Sequence, residues 1–372
     1  MKFSISSKDL KILFSSVSRA VNPKPSIPSL QGVYLSVEKE KIVLVGSDLD
    51  IVIKGSLSLK TEIEGQCLIN GRVASEVIRK LPMGEVTISD VGKELKIETK
   101  TSVFNLRKLD EEGYPKELIG EKVFPKKDAV LNKEELFEAI SQVGVASAQE
   151  GSKPVLTGVL FDKGEEETTA NLVSTDSYRL ASKELKGFSP KDIGVVSKKG
   201  LNEVVRLFEE TEAPISIFVE EREVHFYNDL YQVSLRKIEG DYPSYKNLFP
   251  KETIFSVEVE KEKIMDALDR SSVVAEGYIP VQLSFSNETL KITSTNQDVG
   301  GGQEDVFCQM LGVDIKEVEG FEMSFNPTFL MEAIGSLIGE KVYLRFSGNQ
   351  KPLLIQGETD NYKHLLMPVR AS

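Results

Sequence analysis

Hydrophobic residues recur along the chain with two spacings, one typical of helices and one typical of strands. Near the start, Leu10, Phe14 and Val17 are four and three residues apart, which places them on one face of an amphipathic helix. The runs 32–37 and 41–45 contain alternating and β-branched side chains, as strands do. Further strands are predicted at 86–89, 95–98 and 103–106. The pattern therefore predicts a chain that mixes helices with short strands.

The helical pattern recurs twice more along the chain. Leu136, Ile140 and Val143 repeat the apolar face of the first helix, and Ile264 with Leu268 repeat it again after a similar interval. Each interval spans about a third of the chain, which is far larger than the unit of a solenoid protein. The recurrence therefore indicates three copies of a whole domain.

A second helix is predicted in each copy by a capping residue. Asn70, Ser197 and Asn326 recur at nearly equal intervals, and each side chain can accept a bond from a free helical N–H. Pro327 suits the first helical position, where its missing donor costs little. The predicted buried faces are Val77 with Leu81, Val204 with Phe208, and Ala333 with Leu337. Each copy is therefore predicted to run helix, strands, helix, strands, which is a two-fold repeat within the domain.

Tyr-Pro and Phe-Pro pairs separate the copies. Tyr114-Pro115 precedes Phe124-Pro125, and Tyr242-Pro243 precedes Phe249-Pro250. Because proline fixes φ and interrupts regular structure, these segments predict stiff, extended linkers. We therefore place three similar domains at residues 1–125, 126–252 and 253–372 of an α+β fold.

Composition limits the functional classes. The formal net charge is −12, which argues against a protein that grips nucleic acid by net attraction. The two cysteines, Cys67 and Cys308, suit a reducing compartment. No apolar run approaches the roughly 20 residues of a membrane span, and the charged N-terminal segment is unlike a signal peptide. We expect a cytoplasmic protein without membrane association.

Several short segments, in their order and spacing, carry a resemblance to a known family. These segments are Pro23–Leu30, Ser47–Leu49, Pro154–Gly158, Ser174–Leu180 and Leu365–Arg370. With the length and the triplication, the whole chain resembles the bacterial DNA polymerase III beta subunit family. The resemblance implies three clamp-type domains per chain, with helices lining a ring, antiparallel sheets outside, and closure by dimerisation. It implies a sliding clamp that encircles double-stranded DNA without regard to sequence and has neither catalytic activity nor a cofactor.

Basic residues recur on the second helices of the first two copies. Arg72 and Arg79 are seven residues apart on one face, and Lys199 and Arg206 have the same spacing at the equivalent places of the next copy, whereas the third copy lacks the pair. Alone, such a stripe indicates a solvated helix face; with the resemblance, it predicts weak phosphate contacts that read no bases. A locally basic inner surface would be compatible with the acidic net charge. The candidate DNA-binding residues are Lys24, Arg72, Arg79, Lys198, Lys199 and Arg206.

The resemblance also implies a groove that binds short peptide motifs of the replicative DNA polymerase and the clamp loader. Apolar side chains with a few polar groups suit such a peptide anchor. Leu156, Leu180 and Met367 could each instead be ordinary core. The candidate groove residues are Leu156, Thr175, Tyr178, Arg179, Leu180, Pro243, Leu248, Met367, Pro368 and Arg370.

A homodimer interface is implied between copy one of one chain and copy three of the other. In this arrangement Phe104, on an edge strand, meets Val273 and Val274. Arg107 and Lys108 would face the acidic pair Glu304 and Asp305. The candidate interface residues are Phe104, Arg107, Val273, Val274 and Glu304.

Other chemistries have weaker support. His225 and His364 are the only histidines, with no cysteine or second histidine near either in sequence, so no metal site is predicted. The segment Gly300–Gly302 predicts a flexible turn rather than a phosphate cradle. Asp48 and Asp50 could hold a cation, although solvated loop acids are the simpler interpretation. Two other classes stay open: an enzyme using Asp48, Asp50 or Asp176, and a monomeric adaptor that binds peptides but no DNA.

Overall fold

The computed structural model describes most of the chain. The described residues are 1–38, 40–120, 124, 132–149, 153–164, 166, 168–188, 193–209, 211–276, 279–286, 288–312, 318, 320–359 and 361–370. Pro125 and the boundary predicted beside it lie outside these ranges. Across the described residues, no helix combines the length and the apolar character needed to cross a membrane.

Helices and strands alternate as the hydrophobic pattern predicts. The helices are α1 Ser7–Ser18, α2 Gly71–Lys80, α3 Lys133–Gly144, α4 Lys198–Phe208, α5 Lys261–Val274 and α6 Pro327–Gly335. The strands are β1 Lys2–Ser6, β2 Gly32–Glu38, β3 Lys41–Ser47, β4 Ile51–Ser58, β5 Thr61–Ile63, β6 Gly65–Asn70, β7 Glu85–Val91, β8 Glu94–Glu98, β9 Val103–Arg107, β10 Gly158–Lys163, β11 Thr169–Thr175, β12 Arg179–Lys186, β13 Gly194–Ser197, β14 Ser216–Val219, β15 Glu223–Tyr227, β16 Tyr231–Arg236, β17 Phe255–Glu260, β18 Val281–Ser286, β19 Thr289–Asn296, β20 Gly300–Leu311, β21 Glu322–Phe325, β22 Lys341–Phe346, β23 Leu353–Gln356 and β24 Tyr362–Leu366.

The chain forms two compact units. The first unit is Met1–Lys133 with Lys199–Lys237, and the second unit is Glu134–Lys198 with Ile238–Ser372. The first unit contains a five-stranded sheet, ordered β5-β1-β7-β8-β9, and a seven-stranded sheet, ordered β14-β15-β16-β4-β3-β2-β6. The second unit contains one twelve-stranded sheet, ordered β13-β10-β11-β12-β24-β23-β22-β17-β20-β19-β18-β21. All of these strand pairings are antiparallel.

Backbone pairing crosses the sequence copies, so the units do not coincide with them. Strand β16 of the middle copy pairs with β4 of the first copy, with Val233 opposite Ile53. Strand β12 of the middle copy pairs with β24 of the third, with Ala181 opposite His364. The middle copy therefore contributes one half to each unit.

The first helix of copy one follows its prediction, and the second follows it in part. Ser6 caps α1 by accepting the N–H of Asp9 at 3.1 Å, and Asn70 caps α2 by accepting the N–H of Val73 at 3.0 Å. The predicted face of α2 was wrong at Val77, which is half-buried. Ala74 and Ile78, which are four residues apart, are buried instead. The buried face of α2 is therefore rotated relative to the predicted face.

The later helices bury the predicted apolar faces. Ile264 and Leu268 on α5 are buried, as are Val204 and Phe208 on α4. Asn326 caps α6 by accepting the N–H of Phe329 at 3.1 Å, with Pro327 at the first helical position. These outcomes confirm the predicted apolar faces of α4 and α5 and the predicted cap of α6.

The Tyr-Pro linkers are anchored rather than simply extended. The Tyr114 hydroxyl donates to the Val45 carbonyl at 3.5 Å, and at the equivalent place of the next copy the Tyr242 hydroxyl donates to the Val173 carbonyl at 3.3 Å. Short 3₁₀ turns follow at Lys116–Leu118 and at Lys246–Leu248. The prediction of fully extended linkers was therefore wrong at these turns, because the i→i+3 bonds of a 3₁₀ turn tolerate a nearby proline.

The triple glycine is part of a strand. Gly300–Gly302 begin β20 and pair with residues 294–296 of β19. The predicted flexible turn was wrong, because these glycines pair with β19 and so form part of the strand.

Candidate functional site

The Ser174–Leu180 motif forms the turn between β11 and β12. Thr175 Oγ1 accepts the N–H of Ser177 at 3.1 Å. Asp176 Oδ1 accepts the N–H groups of Tyr178 and Arg179 at 2.9 and 3.0 Å. These side-chain bonds hold Ser177 in the left-handed region, with a φ of 80°. They leave the Tyr178 side chain 64% exposed at the surface of the second unit.

The same turn occurs at the equivalent place of the first copy, in the first unit. Ser47 Oγ accepts the N–H of Leu49 at 3.0 Å, and Asp48 Oδ1 accepts those of Asp50 and Ile51 at 3.2 and 2.8 Å. Asp48 Oδ2 accepts a bond from Lys199 at 2.7 Å. The expectation of a solvated loop acid was wrong for Asp48, whose oxygens shape this turn, whereas Asp50 is exposed.

Arg179 holds the groove turn against α6. Its Nε donates to Asp176 Oδ2 at 2.9 Å, and its Nη1 donates to Glu332 Oε2. The guanidinium also lies 4.1 Å from the centre of the Phe329 ring. Because Arg179 is buried between these partners, it positions the turn and does not present a charge at the surface. Sequence reasoning missed Glu332 and Phe329, which no local motif connects to Arg179.

The groove residues divide into core and surface. Leu180 is buried in a cluster with Val173, Tyr245, Leu354 and Leu365. Leu156 and Thr175 are also buried. The exposed or half-exposed members are Tyr178, Leu248, Met367, Arg370, Pro243 and Pro368.

The C-terminal segment lies beside the turn. The N–H of Met367 donates to the Tyr178 carbonyl at 2.9 Å, and the N–H of Val369 donates to the Ser324 carbonyl at 2.8 Å. Tyr242 and Phe249, on either side of Pro243 and Leu248, pack against the cluster that contains Leu180. The second unit thus brings together three of the four segments that contain the predicted groove residues, namely 175–180, 243–248 and 367–370.

A polar network lies in the interior near the groove strands. The Tyr362 hydroxyl bonds with His364 Nδ1 at 3.0 Å and Ser336 Oγ at 2.8 Å, and it donates to the Gln142 carbonyl at 3.1 Å. Burial lowers the pKa of His364 to about 3, and the nearby Arg179 charge lowers it further. His364 is therefore a neutral structural residue at physiological pH.

Five of the six candidate DNA-binding side chains are exposed, and three of these five pair with carboxylates. Arg79 donates to Glu76 at 2.7 Å, Lys199 to Asp48 at 2.7 Å, and Arg206 to Glu203 at 3.3 Å. Lys24 and Arg72 are exposed in the same unit. The Arg79–Glu76 pair is exposed on both sides, and a pair of this kind contributes little stability, so Arg79 can exchange the carboxylate for a phosphate at low cost. Lys199 and Arg206 are themselves exposed, but their partners Asp48 and Glu203 are only 13% and 11% exposed.

Lys198 differs from the other five basic residues. It is half-buried in the second unit, where burial lowers its pKa, and the Arg179 charge lowers it further. Because it is half-buried and lies near another positive charge, Lys198 is the least suited of the six residues to contact a phosphate.

Two of the open strand edges in the described structure expose apolar side chains. Strand β9 ends the five-stranded sheet and exposes Val103 and Phe104. Strand β20 pairs with β19 along its first half, whereas β17 reaches only residues 308–311 of β20. Phe307 and Val273 are exposed beside this second edge; Phe307 is an apolar residue that sequence reasoning missed.

Charged residues near these edges have partners within the chain. Lys108 donates to both carboxylate oxygens of Asp90 at 2.9 and 3.0 Å. Arg270 donates to both oxygens of Glu304 at 3.0 and 2.7 Å. Open strand edges with exposed apolar side chains favour association with another chain.

Comparison with known proteins gives the same family along the whole chain. Models of the DNA polymerase III beta subunit match in succession: the N-terminal domain at residues 1–118, the central domain at 130–244 and the C-terminal domain at 246–370. A beta sliding clamp of Streptomyces coelicolor is 30% identical over 95% of both chains. One from Staphylococcus aureus is 27% identical over 100% of this chain and 99% of its own.

Solved structures agree in fold. The DNA polymerase sliding clamp of Bacillus subtilis has a TM-score of 0.89 and 27% identity, with 100% of both chains covered. The beta chain of Streptococcus pneumoniae DNA polymerase III has a TM-score of 0.91 and 24% identity over 99% of both chains. The fold is thus three beta-clamp domains with antiparallel sheets, in a family of non-catalytic processivity factors, which excludes the enzyme alternative. The chain belongs to the DNA polymerase III beta subunit family and has the role of a DNA sliding clamp.

Proposed function

We propose that this clamp acts as a ring-shaped homodimer around double-stranded DNA and tethers the replicative polymerase and the clamp loader through the groove of the second unit. The observation that carries the proposal is the surface formed by Tyr178, Leu248 and Met367, three exposed apolar side chains on segments held by backbone bonds. Exposed apolar surface next to a rigid turn is suited to an anchor peptide.

The proposed ligand is a short peptide with a glutamine and a terminal leucine-phenylalanine pair. Its apolar pair would contact Leu248 and reach Leu156 and Leu180 when surface side chains such as Met367 change rotamer. Its glutamine would bond with polar groups near Pro368. Because a short peptide buries little area, a Kd on the order of micromolar is expected. Such modest affinity lets partners exchange on one clamp.

DNA would be held mainly by topology. The candidate phosphate contacts are exposed basic side chains, which suits contacts that form and break as the clamp slides. We propose that Lys24, Arg72, Arg79, Lys199 and Arg206 serve this role, with Lys198 contributing least. The net charge of −12 would limit tight non-specific binding by the rest of the surface.

The dimer would form by pairing of the two open edges. We propose that β9 of one chain lies along the first half of β20 of the other, which extends one sheet across the interface. Phe104 would meet Val273 and Val274, and Arg107 would approach Glu304. This pairing would satisfy backbone groups and cover apolar side chains at both edges.

We also propose three domain limits and a cytoplasmic location for the chain. Three domains at residues 1–125, 126–252 and 253–372 are compatible with the repeated turns and linkers. A cytoplasmic location suits the two buried cysteines. Burial raises the pKa of the Cys67 thiol to about 12 and that of Cys308 to about 11, so both stay protonated and unreactive.

Peptide binding by truncated chains tests the groove. Fluorescence polarisation would follow a labelled motif peptide with the full chain, a chain ending at Leu366 and a control ending at Arg370. We expect binding to be lost in the first truncation and kept in the control, with both dimeric in sedimentation. Because the loss of Met367 also removes its bond to Tyr178, Tyr178→Ala provides a second variant, expected to weaken binding. Full-strength binding by the chain ending at Leu366 would show that the groove lies elsewhere.

Loading on circular and linear DNA tests the ring. A topologically linked clamp stays on closed circles and slides off linear ends, a difference that no ordinary binding surface produces. Equal retention on both forms, or a stable monomer in sedimentation, would contradict the ring and favour a monomeric adaptor.

A further inference from the structure

The hairpin of β14 and β15 brings together three side chains with metal-binding chemistry. Glu223 and His225 are two residues apart on β15, so their side chains project from the same face. The N–H of Glu220 donates to the Glu223 carbonyl at 2.9 Å and continues the hairpin pairing beyond β14. Glu220 is thereby placed opposite Glu223, and all three residues lie within the first unit.

The imidazole of His225 is fully buried and its orientation is restrained. The Phe124 ring lies 4.8 Å from the imidazole centre, and Phe218 stacks at 6.1 Å with an interplanar angle of 21°. His225 Nδ1 bonds with Ser234 Oγ on β16 at 2.7 Å. Nε2 is consequently directed at the carboxylates, 3.3 Å from Glu220 Oε2 and 3.6 Å from Glu223 Oε2.

We propose that Glu220, Glu223 and His225 form a site for one divalent first-row transition metal ion, of which Zn²⁺ is the best match. Their ligand atoms all lie within 4.8 Å of one another. Around a tetrahedral zinc with bonds near 2.1 Å, ligand atoms are separated by roughly 3.4 Å. Both carboxylates are partly exposed, so small side-chain rotations would complete this geometry.

The donor set discriminates between metals. One imidazole nitrogen with two carboxylate oxygens suits zinc and its neighbours, whereas Mg²⁺ and Ca²⁺ prefer oxygen ligands alone. The bond from Nδ1 to Ser234 resembles the outer hydrogen bond that commonly orients a metal-binding histidine. Solvent reaches the carboxylates, so water would complete the coordination shell. This site departs from the sequence expectation, which looked for a cysteine or a second histidine.

The alternative to a metal site is an imidazolium held by the two carboxylates. That arrangement would weaken zinc binding, because the metal would first have to displace the proton between nitrogen and oxygen. The two accounts therefore differ in metal stoichiometry and in the effect of removing one carboxylate.

Zinc titration of the full chain tests the proposal. Protein stripped with a chelator would compete for Zn²⁺ with a chromophoric chelator. We expect one ion per chain, bound at least about tenfold more weakly by Glu223→Gln. The control replaces Glu111 and Glu112, adjacent exposed acids of the same unit, with glutamine, and should bind as the unmodified chain does.

Thermal melting provides a second measurement. Zinc should raise the Tm of the unmodified chain and of the control, but not that of a Glu220→Gln, Glu223→Gln double variant, because only binding to the folded state stabilises it. Metal-free melting checks that the variants fold. If zinc does not saturate at one ion per chain, or the glutamine variants bind with unchanged affinity, the site is an ion-paired histidine and the proposal is overturned.

Discussion

Replacing Arg179 with alanine should destabilise the second unit by about 3 kcal/mol. The side chain of Arg179 is 8% exposed and bonds with Asp176, at 12%, and Glu332, at 45%. Removing one partner of a fully buried ion pair costs about 3–5 kcal/mol, because the remaining charge stays buried. Water can solvate Glu332 again but reaches Asp176 poorly, which places the expected cost near the lower limit.

Arg79→Ala is the matched control. Arg79 also pairs with a glutamate, at 2.7 Å, but its side chain is 68% exposed and that of Glu76 is 55% exposed. Such a surface pair contributes little to stability, so Arg79→Ala should lower the unfolding free energy far less than Arg179→Ala. Arg179→Lys should give an intermediate loss, since it keeps the charge but loses the forked geometry and the stacking on Phe329.

Urea unfolding at equal protein concentrations would measure the difference. The chain has no tryptophan, so far-UV circular dichroism and tyrosine fluorescence would report unfolding. Equal concentration is needed because association stabilises the folded state. If Arg179→Ala and Arg79→Ala lower the unfolding free energy equally, burial does not determine the strength of this network, and the reasoning fails.

Changing Val273 and Val274 to glutamate should give monomers in sedimentation, because Val273 is 74% exposed at the proposed interface; an unchanged dimer would refute that interface. Charge reversal of the exposed basic side chains should weaken DNA association and reduce its salt dependence; the residues to change are Lys24, Arg72, Arg79, Lys199 and Arg206. If DNA association and its salt dependence do not change, these side chains are ordinary solvated surface. Tyr114→Phe and Tyr242→Phe should each cost about 1 kcal/mol in urea unfolding, since equivalent hydrogen bonds are lost; a large inequality would contradict their equivalence. His364 has a pKa of about 3 in the folded chain against an ordinary 6.5, so between pH 6.5 and 3 its imidazole is protonated in the unfolded chain but not in the folded chain. Stability should thus decline as pH falls from about 6.5 to 3, and His364→Gln should reduce that decline in acid titrations.

Local signals in the sequence were sufficient to predict the helices and the repeat. The caps at Asn70 and Asn326 act within three residues, and apolar spacing identified the buried face of α1. The turn built on Thr175 and Asp176 is likewise local, so its motif could be recognised along with its counterpart at Ser47. Such features need no knowledge of distant contacts.

Long-range contacts could not be predicted in this way. Arg179 and Glu332 are 153 residues apart, and no periodicity links them. The exposure of Phe307 results from how far β17 extends along β20. Burial of Leu180 similarly depends on strands from two copies. The sequence therefore predicted segments that lie together in the second unit, but not which of their side chains reach solvent.

The pairing of β16 with β4 and of β12 with β24 means that one sequence copy is not a self-sufficient folding module. A gene fragment encoding a single copy would produce half-sheets with unprotected edges, which tend to aggregate. An ancestral single-copy protein would have needed neighbouring molecules to complete its sheets. Tandem duplication would then have converted intermolecular assembly into covalent linkage, without requiring new backbone contacts.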